Sequence, residues 1–256
     1  MNKETTVPLA PIFQVVNYGA GTNSTAMLIG LHERGERPDL ILFADTGGER
    51  PETYAHRDRV SDWCEGIGFP RIVTVRNEKP YQHGSLENFC LKHKSLPSIA
   101  LGFKHCSINY KSRPIEWYLK ANGIKGARLL IGIDADESHR AKYGDDDKRN
   151  SRYPLLEWDW GRDECVEAIA RAGLPQPGKS ACFFCPSTRP PAIMELKRLH
   201  PDLFQRAIAI ERNGKLAGSI KGLGRSWSWE DLANFSEAQY ELFDRTPDVP
   251  CECLDG

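Results

Sequence analysis

Four groups of residues in this 256-residue chain have types and spacings that can do chemistry. The first is Tyr18-Gly19-Ala20-Gly21-Thr22-Asn23-Ser24-Thr25, a run of small residues placed between the apolar stretch Ile12–Val16 and an amphipathic helical pattern. A strand that breaks into such a turn and re-enters as a helix aims backbone N–H groups at one point. The helix dipole adds positive potential there, which suits phosphate or pyrophosphate. Glycine lets the backbone approach a phosphate closely, and the Ser24 and Thr25 hydroxyls offer donors at the helix start. No Gly-Lys-Ser/Thr follows, so this is not a Walker loop, and Asn23 and Ser24 break a GxGxxG pattern. Asp45-Thr46-Gly47 then closes a second apolar run. Asp45 can bond a ribose or an adenine amino group, or it can cap the turn before Gly47-Gly48.

The second group is Lys104-His105-Cys106-Ser107-Ile108-Asn109-Tyr110-Lys111-Ser112-Arg113-Pro114. Cations beside Cys106 favour its thiolate, which helps both nucleophilic attack and metal ligation. Lys111 and Arg113 can neutralise phosphate or sulfate charge; a solvated basic turn is the alternative. The third group, Gly132 to Arg140, mixes Asp134, Asp136 and Glu137 with Arg140. Its carboxylates can hold Mg²⁺ while Arg140 holds a nucleotide. The fourth is Cys182-Phe183-Phe184-Cys185-Pro186, a CxxC of the kind that makes half of a zinc or iron–sulfur site. The context is wrong for a redox CxxC on a thioredoxin-type helix. Cys251 and Cys253 stand in the tail, as a reactive thiol, further ligands or an inert frayed end. Cys64, Cys90 and Cys165 read as ordinary buried cysteines, with Cys90 a reserve ligand.

These groups need a scaffold. Apolar runs at 12–17, Leu40–Ala44, Arg71–Val75 and Arg128–Ile133 read as strands. Helical patterns occupy 23–35, Pro51 to about Ile67, Pro114–Lys120 and 162–172. Proline opens the second helix at a favoured first-turn position. Strands alternating with helices predict a parallel, Rossmann-like sheet with helices on both faces and right-handed crossovers. Ligands in such sheets sit at the carboxyl ends of the strands, where Gly19 and Asp45 fall. Residues 76–105 read as a long loop over the site or a partly helical lid, and Tyr143–Ser151 as a solvated loop. A Pro/Gly/Cys-rich stretch at 174–187 precedes a long helical region at 190–211 and a further helix within 226–244. The expected division is a nucleotide-binding α/β domain over 1–175, with a helical, Cys-containing C-terminal region over 176–256 packed on it.

Composition narrows the class. Hydrophobic residues make up 40% and charged residues 27%, as in a globular protein. Net charge is −1 and the pI is near 6.7, so no global basic field is available to hold nucleic acid. No apolar run reaches the ~20 residues of a membrane helix, and Met1–Pro11 lacks a signal-peptide core. The expected location is therefore the cytoplasm, where eight cysteines argue for thiol or metal chemistry over structural disulfides.

The turn YGAGTNST resembles the pyrophosphate-binding loop SGGxDS of the adenine nucleotide α-hydrolase (PP-loop) superfamily. Phe43–Thr53, FADTGGERPET, is similar to the FxDTGxxxPET segment of its phosphoadenosine phosphosulfate (PAPS) reductase branch. The resemblance runs from about residue 12 to 190. It implies ATP, PAPS or adenosine phosphosulfate (APS) bound with Mg²⁺ by Tyr18 to Thr25, Asp45, Thr46, Gly47, Gly132, Asp136 and Arg140. Lys111 and Arg140 are implied to neutralise charge during catalysis. Glu252-Cys253-Leu254 partly resembles the ECGLH tail that carries the catalytic cysteine of thioredoxin-dependent members, which implies that Cys253 attacks sulfur. A [4Fe–4S] cluster is implied at Cys106, Cys182 and Cys185, with Cys253, Cys251 or His105 as the fourth ligand, and zinc as second choice. Two departures stand out. Asn23 replaces the usual loop Asp, and Asp134 replaces an Arg of the second substrate loop, often GxRxxxSxxR, with Arg140 one residue early. The lost Arg fits ATP better than a sulfonucleotide. Implied partners are a thioredoxin-like reductant or a cysteine desulfurase. Sulfurtransferases of DNA phosphorothioation belong to the same branch, so a nucleic-acid substrate is also open, as is a homo-oligomer. The rival readings are a nucleotide sensor without turnover and a metal-stabilised interaction protein.

Overall fold

The computed structural model describes residues 12–143, 150–214 and 220–235. Cys251, Cys253, most of the expected 143–151 loop and the expected helix beyond Phe235 lie outside the described residues. Five strands, β1 (Gln14–Asn17), β2 (Leu40–Asp45), β3 (Ile72–Arg76), β4 (Arg128–Ile131) and β5 (Ser151–Arg152), form one sheet in the order β3-β2-β1-β4-β5. Every pairing is parallel; Val15, at the centre, stands opposite Leu40 on one side and Leu129 on the other. The chain winds outward from β1 to β3 and then crosses back to β4. That reversal opens a crevice beyond the carboxyl ends of β1 and β4, the usual ligand position of such sheets.

Strand residues alternate between two cores, as the two-residue period of a strand requires. Val16, Ile41, Phe43 and Leu130 pack with α1 (Thr22–Glu33), α2 (Pro51–Gly66) and α7 (Arg162–Arg171). Val15, Leu42, Ala44, Leu129 and Ile131 pack with Ile115 of α5 (Arg113–Ala121) and with Tyr153. Helix α1 is buried nearly all round rather than along one stripe. Trp158 covers its outer side so closely that a Cβ on Gly30 would lie 2.3 Å from the indole.

The 76–105 segment is the partly helical lid rather than the structureless loop. It holds a 3₁₀ turn at Pro80–Gln82, α3 (Leu86–His93) and a second 3₁₀ turn at Ser98–Leu101. Ser85 starts α3 by accepting the Asn88 N–H at 3.1 Å. A short α4 (His105–Ser107) leads through a π turn, Ile108–Ser112, into α5. Pro114 explains the π turn: its ring crowds the carbonyl four residues back and it has no N–H to give. The Arg113 N–H instead reaches Ile108 O, and the Asn77 amide donates to the Asn109 carbonyl at 2.7 Å. The short β5 and α6 (Pro154–Glu157) had no clear signal in the sequence.

The expected long helix at 190–211 is two helices, α8 (Pro190–Leu199) and α9 (Pro201–Asn213). Pro201 holds His200 in an extended conformation, φ −136°, and so separates them. With α10 (Trp229–Asn234) they enclose a third core of Phe183, Phe184, Leu196, Phe204 and Trp229. Leu86, Cys90, Leu96 and Tyr110 belong to that same core, so the lid and the C-terminal helices share one interior. Buried Glu211 ties it together by accepting the N–H groups of Leu223, Trp229 and Glu230.

Candidate functional site

The turn between β1 and α1 sits at the crevice. Ala20 takes a left-handed conformation, φ 59°, and Gly21 is the helix N-cap. The Gly19 and Gly21 N–H groups lie 3.2 and 3.3 Å from Ser24 Oγ. Gly132, just past β4, is pressed against this turn: a Cβ there would lie 2.9 Å from the Ser24 backbone nitrogen. Only glycine permits that approach. Asn23 hydrogen-bonds Asp134, whose Oδ1 also accepts the Glu137 N–H at 3.0 Å. Burial, and then the neighbouring Glu137, raises the Asp134 carboxyl above its ordinary range. The Asn23 Oδ1 is buried without a hydrogen-bond partner.

Two expected ligands point elsewhere. The Thr25 hydroxyl lies 3.0 Å from His56 Nε2 and 3.2 Å from the Tyr18 hydroxyl, all within the core. Burial, reinforced by Arg59, pushes the His56 imidazole down to about 4, so it is neutral at ordinary pH. Burial raises the Tyr18 phenol as well. These side chains therefore anchor α1 from behind and leave the turn's backbone to face the crevice. The sequence could not separate a hydroxyl facing a ligand from one facing the core.

Asp45 is held by its own corner. Its Oδ1 accepts the Gly47 N–H at 2.7 Å and the Tyr54 hydroxyl at 2.8 Å, and its Oδ2 accepts Arg76 Nε at 2.8 Å. The turn-capping role is the one the geometry realises, because both oxygens are occupied by the protein. Gly47 has φ 73°, and a Cβ on it would lie 2.6 Å from Ser85 Cβ. The Leu86 N–H donates to Thr46 O at 3.0 Å, so α3 hangs directly from this corner.

Beside the turn lies a pocket lined by Thr46, Cys106, Lys111, Ser180, Cys182 and Cys185, with Leu86, Ile99 and Phe184 as apolar wall. Three distant segments thus bring the three expected cysteines and the expected lysine together. Cys182 Sγ lies 3.1 Å from Thr46 Oγ1. Its thiol is pushed up, first by burial and then by buried Glu49, while Lys111 acts in the opposite direction. The Phe183 N–H donates to Gly48 O at 2.8 Å, which fixes the CxxC segment on the Asp45 corner. Ser180, which carried no sequence signal, hydrogen-bonds the Gly19 carbonyl and so joins pocket to turn. Among the described residues, no three His, Cys, Asp or Glu side chains converge as a metal-binding group. As placed, the pocket cysteines do not fit a cluster by themselves, and the expected tail ligands lie outside the described residues. His105 stacks on Phe103, with ring centres 5.7 Å apart.

The third group, Gly132 to Arg140, is not part of this pocket. Arg140 pairs with Glu137 inside its own 3₁₀ turn. Asp136 accepts the Arg162 N–H at 2.9 Å and so starts α7. Arg113 is bonded to Asn109 at 2.6 Å. Burial pushes Cys64, Cys90 and Cys165 up to about 12 each, in keeping with inert core thiols.

No family model matches the sequence, and no curated protein matches it. Among solved structures, the chain is similar to a phosphoadenylyl-sulfate (PAPS) reductase from Candida auris, determined as a phosphate complex. The TM-score is 0.46 and the identity 18%, over 68% of this chain and 78% of that one. Among the described residues, no helix is long and apolar enough to cross a membrane.

Proposed function

We propose that the chain is a PP-loop enzyme of sulfur chemistry: it binds an adenine nucleotide at the Tyr18–Thr25 turn and acts on it through the adjoining cysteine pocket. One observation carries this reading. Ser180 bonds the Gly19 carbonyl while its neighbour in the pocket, Cys182, sits with Cys106 and Lys111. A backbone-built anion site and a set of thiols are thereby contiguous. The start of α1 would hold phosphates, joined by the Gly19 and Gly21 N–H groups once these exchange Ser24 Oγ for a phosphate oxygen. Lys111 would neutralise charge that develops beside the thiols. Asn23 Oδ1 would take a donor or a cation that arrives with the nucleotide, relieving its unmet acceptor.

In the activation form of the reaction, a substrate oxygen attacks the α-phosphorus of ATP, pyrophosphate leaves, and sulfur then displaces AMP. In the reductive form, a thiolate attacks the sulfur of a bound sulfonucleotide, the nucleoside phosphate leaves, and a thioredoxin-like dithiol releases sulfite from the S-sulfocysteine as it is oxidised to a disulfide. Purified protein given ATP and Mg²⁺ should release AMP and pyrophosphate in the first form; given PAPS or APS with a dithiol, it should release sulfite in the second. Calorimetry with each nucleotide reads binding separately. Nucleotide binding without any release would favour the sensor, and no binding by either nucleotide would end the proposal. Iron or zinc at Cys106, Cys182 and Cys185 is a separate proposal that needs a ligand such as Cys253. It is tested by metal analysis of protein purified without oxygen, with Cys182→Ser as control.

A further inference from the structure

On the outer side of the lid, away from the cysteine pocket, two imidazoles meet edge to edge. His83 Nε2 and His93 Nε2 lie 3.2 Å apart, with ring centres 5.3 Å apart. Two nitrogens each ~2.0–2.1 Å from one tetrahedral metal lie ~3.3 Å from one another. We propose that His83 and His93 form a surface site for a divalent transition-metal ion of the Zn²⁺, Ni²⁺ or Cu²⁺ class, with water filling the remaining positions. Imidazole is the preferred neutral ligand for these ions.

The pair is held in place by the fold. His83 has a left-handed backbone, φ 56°, and Gly84 follows at φ 77°, which turns the chain back over α3. The Asn88 amide fixes that turn by donating to the His83 carbonyl at 3.1 Å. At the other end of α3, His93 packs tilted against Phe89, with ring centres 4.4 Å apart. The His83 backbone and the His93 ring are thus each held, with the two Nε2 atoms toward one another. His83 is half-buried and His93 exposed, so water can reach the metal. Desolvation, followed by Lys92 and His93, disfavours a proton on His83. Lys92 also repels a cation, which places the site among moderate binders.

The site has a mechanical consequence. Ser85 and Leu86, two and three residues after His83, are the residues that attach α3 to the Asp45 corner. A metal at the two imidazoles would tie the turn before α3 to the last turn of that helix, stiffening the lid over the pocket.

The test is Zn²⁺ added to the full chain at pH 7.5, read by hydrogen exchange and by titration calorimetry. Slower exchange over residues 80–93 is expected. Either His83→Gln or His93→Gln should abolish it and weaken Zn²⁺ binding at this site ~10-fold or more, about 1.4 kcal/mol. Lowering the pH to 5.5 should have the same effect, because protonated imidazole cannot ligate. Both positions lie at the surface, so the variants keep the fold. Absence of the zinc effect in the wild-type chain, or its persistence in both variants, would overturn the proposal and leave an ordinary imidazole–imidazole hydrogen bond.

Discussion

The glycine turn between β1 and α1 and the cysteine pocket adjoin each other but are built in opposite ways. The turn is one short piece of chain whose shape comes from backbone, from Ala20 and Gly21, and from Gly132 pressed against it. Its side chains partly face inward, Tyr18 to Thr25 and Thr25 in turn to His56. The pocket is made of side chains, and they come from Thr46, the 106–111 stretch and the 180–185 segment. A backbone site is insensitive to side-chain identity but intolerant of added bulk. A side-chain site reverses both sensitivities.

Gly132→Val should give the largest effect. A branched side chain would have to displace the backbone of Asn23 and Ser24. Expected is a loss of about 3 kcal/mol in denaturant unfolding, together with loss of nucleotide binding. A wild-type midpoint would show that the two segments are less tightly opposed. Acid is the second probe of the turn's support. The His56 imidazole, ordinarily near 6.5, is pushed down to about 4, so the unfolded chain takes up its proton first as pH falls. Stability should be whole above about pH 6.5 and decline below it, with up to about 3 kcal/mol lost by about pH 4. His56→Gln should flatten that slope in denaturation midpoints measured across the range, whereas an unchanged slope would assign it to other groups.

Lys111→Ala probes the pocket. Turnover should fall ~10²-fold, equivalent to about 2.7 kcal/mol, with nucleotide affinity changed far less. Equal losses in both would place Lys111 in ground-state binding instead. Ser180→Ala, at the seam of the two regions, should be mildest. Losing one hydrogen bond costs about 1 kcal/mol, and calorimetry should read it as nucleotide binding weakened ~5-fold. A larger loss would mean that the seam, and not the turn alone, shapes the phosphate site.

The same contrast explains what could be read in the sequence. The turn, the strands around it and the Asp45 corner are local patterns, so spacing and periodicity were enough to place them. Asp45 shows the limit of that reading: its position was clear, but Tyr54 and Arg76, which occupy its oxygens, are brought there by folding. Ser180 acts through the distant Gly19 carbonyl, so nothing near it in sequence marks it. Arg140 and Asp136 looked like ligands because charge in a loop often is; here Glu137 and the start of α7 take them. The gathering of Cys106 with Cys182 and Cys185 was anticipated by resemblance, since no spacing rule joins segments so far apart.

The π turn before α5 sets the pocket's angular arrangement. In an α-helix, residues five apart point about 140° away from one another; a turn wound with i→i+5 bonds rotates less per residue and narrows that angle. The i→i+5 bond joins Arg113 to Ile108, so Lys111 lies inside the π turn and Cys106 in α4 just before it, and both line the same cavity. Pro114 therefore acts as a phase-shifter, keeping one extra residue wound into the helix so that thiol and ammonium share a side. Removing it would let that slack unwind and rotate the two groups out of step, without altering either one.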